Sequence, residues 1–199
     1  MFSSKILFPG LEVFSMDGDK CDQYVEIIKQ HCDPLMYPGT SYKKNNENFL
    51  FEGGLFLEHR KCLTFETSKL NHLAIDDVLK SVTNLIGKQM LDFSNCFIKK
   101  YTDYDLIEKH NIHIVKYVKG DYFTLHADDR PVMPRTVSAT LYLNDEYGGG
   151  EICFKHLGIT YRPKKGECLV FSSSFPYSHY VKEITEGARY VVVNFYSYV

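Results

Sequence analysis

The second half of the sequence consists of short segments of alternating apolar and polar residues, separated by clusters of turn-forming residues. Side chains along a strand point alternately to its two faces, so this alternation predicts strands with one buried face. The predicted strands span residues 112–118, 137–143, 151–154, 167–171 and 190–195. Gly, Pro or Asp clusters punctuate them, which indicates turns between neighbouring strands. Many short strands at this spacing predict a jelly-roll of the cupin type.

Helices are expected mainly in the first half. Apolar residues at helical spacing predict a helix over 19–31, which Pro34 ends. A wide apolar stripe predicts a second helix over about 70–91. Its members are Leu73, Ile75, Val78, Leu79, Val82, Leu85, Ile86 and Met90. The fold class is therefore α+β, mainly β: a double-stranded β-helix (jelly-roll, cupin-like) with supporting N-terminal helices.

The length of 199 residues fits one domain with a full core. We expect supporting helices and strands in residues 1–95 and the β-helix core in residues 96–199. The polar segment 39–48 is expected to be an exposed loop, and the longer segment 39–60 part of a lid over a site.

Composition bears on partners and compartment. The formal net charge is −2, from 23 Lys and Arg against 25 Asp and Glu, so no basic surplus favours a nucleic-acid partner. The six cysteines form no C-x-x-C pair, which predicts free thiols in a reducing compartment. No signal peptide and no run of about 20 apolar residues is apparent, so we expect a cytoplasmic protein without a membrane partner.

The most informative stretch of the sequence is 120–129, which contains His126 and Asp128. Residues two apart on a strand share a face, so these side chains can bind one metal ion together. His179, which follows 53 positions later, is the candidate third ligand. Two imidazoles and one carboxylate leave one side of an octahedral ion open, as in non-haem iron(II) oxygenases.

Taken alone, a His-x-Asp pair is weak support, because a lone strand histidine is usually just a hydrogen-bonded residue. The odd spacing of Asp129 from His126 is expected to point its carboxylate away from the ion. The remaining histidines have no comparable setting and are interpreted as structural or surface residues: His31, His59, His72, His110, His113 and His156.

Three further segments complete a pattern. They span residues 135–154, 161–171 and 179–190. In order and spacing, these segments and the His126–Asp128 pair resemble the catalytic domain of the prolyl 4-hydroxylase-like 2-oxoglutarate/Fe(II)-dependent dioxygenases. The likeness is strongest to compact single-domain viral and microbial members, and it covers about residues 112–197.

The resemblance assigns roles position by position. His126, Asp128 and His179 match the metal ligands, with no catalytic residue beyond the metal centre. Arg189 lies ten residues after His179, where the family places the Arg or Lys that pairs with the distal carboxylate of 2-oxoglutarate. Other residues are expected near the cosubstrate (Tyr142, Tyr117 and Thr140) or near the substrate (Tyr122 and Phe195). Phe195 stands where many prolyl-hydroxylating relatives have Trp, which counts against peptidyl-proline as the substrate.

The resemblance implies a hydroxylase that uses Fe(II), 2-oxoglutarate and O2, releases succinate and CO2, and is supported by ascorbate. A prolyl residue of a peptide or protein is the leading substrate, and a free amino acid or another small molecule is the alternative. Different classes of protein also remain open. They are a non-catalytic cupin-like binding protein, a nucleic-acid demethylase with the same triad, and a zinc hydrolase, because the ligand set alone does not exclude zinc.

Overall fold

The computed structural model describes residues 2–44, 51–54, 58–71, 77–108, 111–130 and 134–198. Two α-helices occur in these ranges, α1 (Gly18–His31) and α2 (Asp77–Ile98). Short 3₁₀ turns span Asp33–Leu35, Thr67–Asn71 and Lys155–Leu157. The strands are β1 (Ser4–Phe8), β2 (Leu11–Ser15), β3 (Tyr37–Pro38), β4 (Ser41–Lys44), β5 (Phe51–Gly54), β6 (Arg60–Lys61), β7 (Leu63–Glu66), β8 (Leu106–Glu108), β9 (His113–Val118), β10 (Tyr122–His126), β11 (Val137–Tyr142), β12 (Tyr147–Gly149), β13 (Ile152–Phe154), β14 (Ile159–Tyr161), β15 (Glu167–Ser172), β16 (His179–Val181) and β17 (Ile184–Tyr198).

Two antiparallel sheets form the body of the molecule. The large sheet has the order β1-β2-β15-β11-β17-β9-β7-β3, and the long strand β17 also pairs with β8 and β12. The small sheet has the order β14-β13-β16-β10-β6. A buried cluster joins the inner faces of both sheets, with Phe154 of the small sheet against Phe171 of the large one at 5.1 Å between ring centroids. This arrangement confirms the predicted double-stranded β-helix.

The helices cover the other face of the large sheet. Phe93 of α2 stacks on Phe14 of β2 with the ring centroids 5.1 Å apart. Val137, Ala139 and Leu141 of β11 belong to the same apolar cluster as the buried sides of α1 and α2. An apolar face of the sheet and an apolar face of each helix thus bury one another, which confirms the supporting role predicted for the helices.

The second helix extends further than predicted. Within the described residues it spans Asp77–Ile98, beyond the predicted end near residue 91. Phe93 and Phe97 extend its buried side, so the change to strands predicted at about residue 95 was placed too early. Val78 and Leu85 of the predicted stripe are 47% and 58% exposed, since they lie on the outer side of the helix. Leu73 and Ile75 lie outside the described residues.

Strands were expected in residues 1–95, but the sequence-based prediction did not locate them. β2 pairs with β15 and β7 pairs with β9, so N-terminal segments extend the large sheet on both sides. The expected loop 39–48 contains a strand, because Ser41–Lys44 pairs with Phe51–Gly54 in a hairpin. Residues 45–50 and 55–57, and with them much of the proposed lid, lie outside the described residues. The six cysteines are free thiols, and no helix in the described ranges is both long and apolar enough to cross a membrane.

Candidate metal and cosubstrate site

The two histidines of the predicted triad are direct partners across neighbouring strands. His126 at the end of β10 lies opposite His179 at the start of β16 in the antiparallel register. Side chains of directly opposed residues are close neighbours on one face of a sheet. The two imidazole rings accordingly lie 4.4 Å apart between centroids. Strand pairing therefore joins two residues that are far apart in the sequence.

Asp128 completes the cluster from the segment after β10. Its backbone N–H donates to the carbonyl of Ser173 at 3.1 Å, which fixes the segment against the turn before β16. Its carboxylate oxygens lie 3.5 Å from Nε2 of His126 and 3.9 Å from Nε2 of His179. One donor atom from each of the three side chains lies within 4.8 Å of the others, and this is the arrangement expected of a metal site.

Hydrogen bonds of the imidazoles leave the correct nitrogen for a metal. Nδ1 of His126 is 2.8 Å from the carbonyl oxygen of Thr124, and Nδ1 of His179 is 3.1 Å from that of Tyr177. A carbonyl oxygen only accepts hydrogen bonds, so each Nδ1 carries the proton. The lone pair of each Nε2 then points to the cluster, as in metal-binding histidines oriented by a backbone carbonyl.

Electrostatics favour the ligand forms of these groups. Burial, together with the neighbouring His126, lowers the pKa of His179 to about 4, so its imidazole is neutral at pH 7. Burial raises the pKa of the Asp128 carboxyl, but His179, His126 and a hydrogen bond from Ser138 outweigh this effect and hold that pKa well below its usual value. A neutral imidazole and an ionised carboxylate are the forms that bind a cation.

A buried arginine occupies the other end of the site. Arg189 of β17 is 2% exposed, and its guanidinium carbon lies 4.7 Å from the ring centroid of Tyr117 and 5.1 Å from that of Tyr142. Its Nη1 donates to the carbonyl of Gly150 at 3.2 Å. Among the described residues, no carboxylate forms an ion pair with Arg189, and neither Nε of Arg189 nor the hydroxyl of Tyr142 has a hydrogen-bond partner. A buried positive charge and a buried hydroxyl without hydrogen-bond partners indicate a binding site for an anionic ligand, which would accept hydrogen bonds from both.

The glycine turn after β11 supplies the carbonyl that holds Arg189. Gly149 and Gly150 have φ angles of +68° and +72°, a region that L-residues rarely adopt. A Cβ atom on Gly149 would clash with the carbonyl oxygen of Glu183. These glycines lie between the predicted strands 137–143 and 151–154, where a turn was expected, and Gly150 delivers a backbone acceptor to Arg189.

One cavity of about 300 Å³ joins the two ends of the site. Its walls include the predicted residues His126, Asp128, His179, Arg189, Tyr142, Tyr117, Thr140 and Phe195. Tyr122 is not among the lining residues, whereas its neighbour Phe123 is. A register irregularity between Phe123 and His126 allows both to face the cavity, and their rings stack at 3.7 Å. Asp129 is exposed and accepts a hydrogen bond from the backbone of Arg135 instead.

The cavity also contains residues that the sequence interpretation did not select. His113, set aside with five other histidines, lines it beside Phe195, and alternation from Tyr117 along β9 could have placed it there. His72 and His110 lie outside the described residues. Arg60 and Arg135 also line the cavity. Nη1 of Arg135 donates to the backbone carbonyl of Asp128 at 3.1 Å, and its guanidinium covers the ring of Phe195 at 3.5 Å.

Comparisons with known proteins agree with this geometry. The profile of the 2OG-Fe(II) oxygenase superfamily matches residues 112–197. A PKHD-type hydroxylase of Prochlorococcus marinus (strain MIT 9312) is 30% identical over 160 residues, which cover 75% of this chain and 67% of that protein. Prolyl 3-hydroxylase 2 of Mus musculus is 40% identical over 63 residues, but these represent only 29% of this chain and 9% of the mouse protein.

Solved structures share the fold at low sequence identity. A viral collagen prolyl hydroxylase from Paramecium Bursaria Chlorella virus-1, in complex with 2OG, superimposes with a TM-score of 0.59 at 17% identity, covering 96% of both chains. A Trichoplax adhaerens prolyl hydroxylase in complex with a hypoxia inducible factor peptide fragment superimposes with a TM-score of 0.67 at 16% identity, covering 94% of this chain and 83% of that one.

A double-stranded β-helix with a His-Asp-His cluster beside a buried arginine defines the class as a 2-oxoglutarate-dependent oxygenase. The chain belongs to the 2OG-Fe(II) oxygenase superfamily, among its prolyl hydroxylase-like members. Membership implies the chemistry of a 2-oxoglutarate-dependent dioxygenase, with Fe(II) as cofactor and 2-oxoglutarate as cosubstrate. Membership of this family favours a dioxygenase over the zinc hydrolase and the non-catalytic binding protein among the earlier alternatives.

Proposed function

We propose that this protein hydroxylates a prolyl residue of a peptide or protein, consuming 2-oxoglutarate and O2 and releasing succinate and CO2. His126, Asp128 and His179 would hold the Fe(II), and Arg189, with Tyr142, would bind the distal carboxylate of 2-oxoglutarate. Tyr117 and Thr140, which also line the cavity, would complete the wall of the cosubstrate end. The observation that carries the proposal is a single cavity with a metal-binding triad at one end and a buried arginine at the other.

The donor set suits Fe(II). Two neutral imidazole nitrogens and one carboxylate are the facial ligand set that leaves positions open for a cosubstrate and O2. When bound, the iron supplies the oxidative decarboxylation of 2-oxoglutarate and the insertion of an oxygen atom into a C–H bond. The substrate would lie on the side of the metal end that Phe195 and His113 border.

The protein contributes by orienting the metal ligands and the cosubstrate and by excluding water from the site. The backbone carbonyls of Thr124 and Tyr177 hold the protons of His126 and His179 on Nδ1, so that each Nε2 can present its lone pair to the metal. Arg189 presents a fork of N–H donors that matches a carboxylate. Asp128 and His179 are 8% and 6% exposed, so little water reaches the metal end when the cavity is filled.

The likeness to prolyl hydroxylases supports the choice of substrate. A PKHD-type hydroxylase and mammalian prolyl 3-hydroxylase 2 are relatives in sequence, and one neighbour in fold was solved with a peptide. The chain covers only a small part of prolyl 3-hydroxylase 2, and Phe195 replaces the Trp of many prolyl-hydroxylating relatives. A free amino acid or small metabolite is therefore the alternative that the assay must include.

The test measures the hydroxylated product together with the consumption of 2-oxoglutarate. Purified protein with Fe(II), 2-oxoglutarate and ascorbate, which we propose supports activity, is incubated with pools of proline-containing peptides and with free amino acids. Mass spectrometry should reveal a product heavier by one oxygen atom and an equal amount of succinate, both dependent on 2-oxoglutarate. A product restricted to the amino-acid pool would favour the alternative substrate. Full activity in a His126→Ala/His179→Ala double variant would refute the site.

A further inference from the structure

The arginines of this chain are concentrated around one cavity. The sequence contains five arginines: Arg60, Arg130, Arg135, Arg162 and Arg189. All except Arg162 line the cavity of the candidate site, and no lysine is among the described residues that line it. A guanidinium offers a planar set of donors that matches a carboxylate, whereas an ammonium group is a strongly hydrated point charge. The cavity is therefore equipped to bind planar anions.

The positive charge of the cavity exceeds what the cosubstrate requires. Glu66 and Asp128 are the only described carboxylates among the lining residues, so the guanidiniums outnumber them. An Fe(II) ion and a 2-oxoglutarate dianion carry equal and opposite charges, so binding both leaves this excess unchanged. A cationic cavity inside a chain of net charge −2 favours an anionic third component, which is the substrate.

Two of these arginines already have a role inside the site. Arg189 lies at the cosubstrate end between Tyr117 and Tyr142. Arg135 supports the metal end, since it donates a hydrogen bond to the backbone carbonyl of Asp128 and packs on the ring of Phe195. Arg130 follows the segment that carries Asp128 and borders residues 131–133, which lie outside the described ranges. Arg60 is the remaining one, and it comes from β6 at the edge of the small sheet.

Arg60 lies close to the metal end, where its side chain also interacts with Cys62 and Tyr117, and one of its donors has no partner. Its guanidinium carbon is 4.9 Å from the ring centroid of Phe123, and the Phe123 ring stacks on His126 at 3.7 Å. Nη1 of Arg60 donates to the carbonyl of Thr40 at 3.1 Å. Its Nε is buried without a hydrogen-bond partner, and none of the described carboxylates forms an ion pair with this guanidinium. A buried donor without a partner is costly, which fits a ligand that satisfies it.

We propose that Arg60 binds a carboxylate of the substrate, so that the preferred substrate carries an acidic group close to the carbon that is hydroxylated. The inference rests on the proposed function and narrows its substrate class. Two sources offer the same chemistry: an Asp or Glu side chain next to the target residue of a peptide, and the α-carboxylate of a free amino acid. Arg60 lies 4.9 Å from the Phe123 ring, which in turn lies 3.7 Å from the His126 ring. These distances place the acidic group within about two residues of the hydroxylated one.

The test compares acids with their amides. Peptides in which Pro is flanked by Glu are paired with the same peptides carrying Gln, and free L-proline is paired with L-prolinamide. Calorimetry in the absence of oxygen measures binding of each probe to the protein loaded with Mn(II) and 2-oxoglutarate, and the hydroxylation assay measures kcat/KM. We expect the acid of at least one pair to bind about ten- to a hundredfold more tightly than its amide. The pair that shows the preference identifies the source of the carboxylate.

Variants test whether Arg60 is the residue responsible for the preference for acids over amides. Arg60→Gln should remove it and Arg60→Lys should restore part of it, and in both variants the affinity for the acidic probe should fall by a larger factor than the affinity for 2-oxoglutarate. Lys61→Gln is the matched control, because this substitution removes the same charge from the same strand. The Lys61 side chain is 49% exposed and pairs with Asp121. The preference of this variant should equal that of the parent protein.

Three results would overturn the inference: equal binding of acids and amides by the parent protein, no binding of any acidic probe, or a preference that Arg60→Gln leaves intact. Failure of the proposed function has a different signature. It would appear as absent 2-oxoglutarate binding, or as probes that bind with the acid preference but give no hydroxylated product.

Discussion

The two faces of the large sheet serve different purposes, although the same strands build both. Along β11, Val137, Ala139 and Leu141 face the helices and belong to an apolar cluster. The intervening Thr140 and Tyr142 face the cavity. Along β17, Val192 packs towards the helices, whereas Arg189 and Phe195 line the cavity. The helix-facing side of these two strands packs into an apolar cluster, whereas the cavity-facing side carries two buried polar groups without a hydrogen-bond partner among the described residues, the hydroxyl of Tyr142 and Nε of Arg189.

This difference indicates how the chain separates stability from binding. An apolar face gains free energy from burial whether or not a ligand is present. A buried guanidinium or hydroxyl without a partner costs free energy until a ligand satisfies it. Changes on the helix-facing side should therefore alter the free energy of unfolding, and changes on the cavity side should alter ligand affinity or turnover.

The largest effect is expected at the metal end of the cavity. Asp128→Ala should reduce 2-oxoglutarate turnover by more than about a hundredfold. Removing a residue that only orients a metal ligand costs up to about a hundredfold, and the loss of a ligand itself should cost more. Asp129→Ala is the matched control, since this neighbouring carboxylate is exposed and accepts a hydrogen bond from the backbone N–H of Arg135. Succinate formation measures both. Comparable losses in the two variants would show that the segment, rather than the Asp128 carboxylate, is what matters.

On the helix-facing side, Leu141→Ala should lower the free energy of unfolding by about 3 kcal/mol, because Leu141 is fully buried and its loss leaves a cavity. Urea denaturation measures this effect. The KM for 2-oxoglutarate should remain that of the parent protein in the folded fraction. A large rise in KM with little loss of stability would contradict the division between the two faces.

At the cosubstrate end, Arg189→Met should raise the KM for 2-oxoglutarate about ten- to a hundredfold, since it removes a charged donor from a buried site. Met fills similar space, and it removes a buried charge that has no carboxylate partner among the described residues. The free energy of unfolding without ligand should therefore not fall. An unchanged KM would exclude Arg189 as the cosubstrate anchor.

The sequence predicted most residues of the cavity-facing side, but not the strands and contacts that depend on pairing between distant segments. Alternation along single strands placed Thr140 and Tyr142 on one side of β11, and spacing with family resemblance selected His126, Asp128, His179 and Arg189. The strands β1, β2 and β7 were not predicted, because their place depends on pairing with distant partners such as β15 and β9. Arg60 was missed for the same reason, since only the pairing of β6 with β10 brings it beside Phe123. The cross-strand contact of His126 with His179 likewise follows from register rather than from local sequence.

The smallest and sharpest test uses one tyrosine from each face. The hydroxyl of Tyr142 is buried without a hydrogen-bond partner, so Tyr142→Phe should leave the free energy of unfolding unchanged or raise it by up to about 1 kcal/mol. The affinity for 2-oxoglutarate should nevertheless fall by about tenfold, because the hydroxyl would donate to the distal carboxylate. Urea denaturation and calorimetry on the Mn(II)-loaded protein measure the two quantities.

Tyr196→Phe is the matched control from the helix-facing side of β17. The hydroxyl of Tyr196 accepts a hydrogen bond from Asn194 at 3.2 Å, and the side chain is fully buried. Its loss should lower the free energy of unfolding by about 1 kcal/mol and leave the affinity for 2-oxoglutarate unchanged. The same chemical change would then have opposite consequences on the two faces. If both variants instead lost stability and kept their affinity, the Tyr142 hydroxyl would be a structural group rather than part of the cosubstrate site.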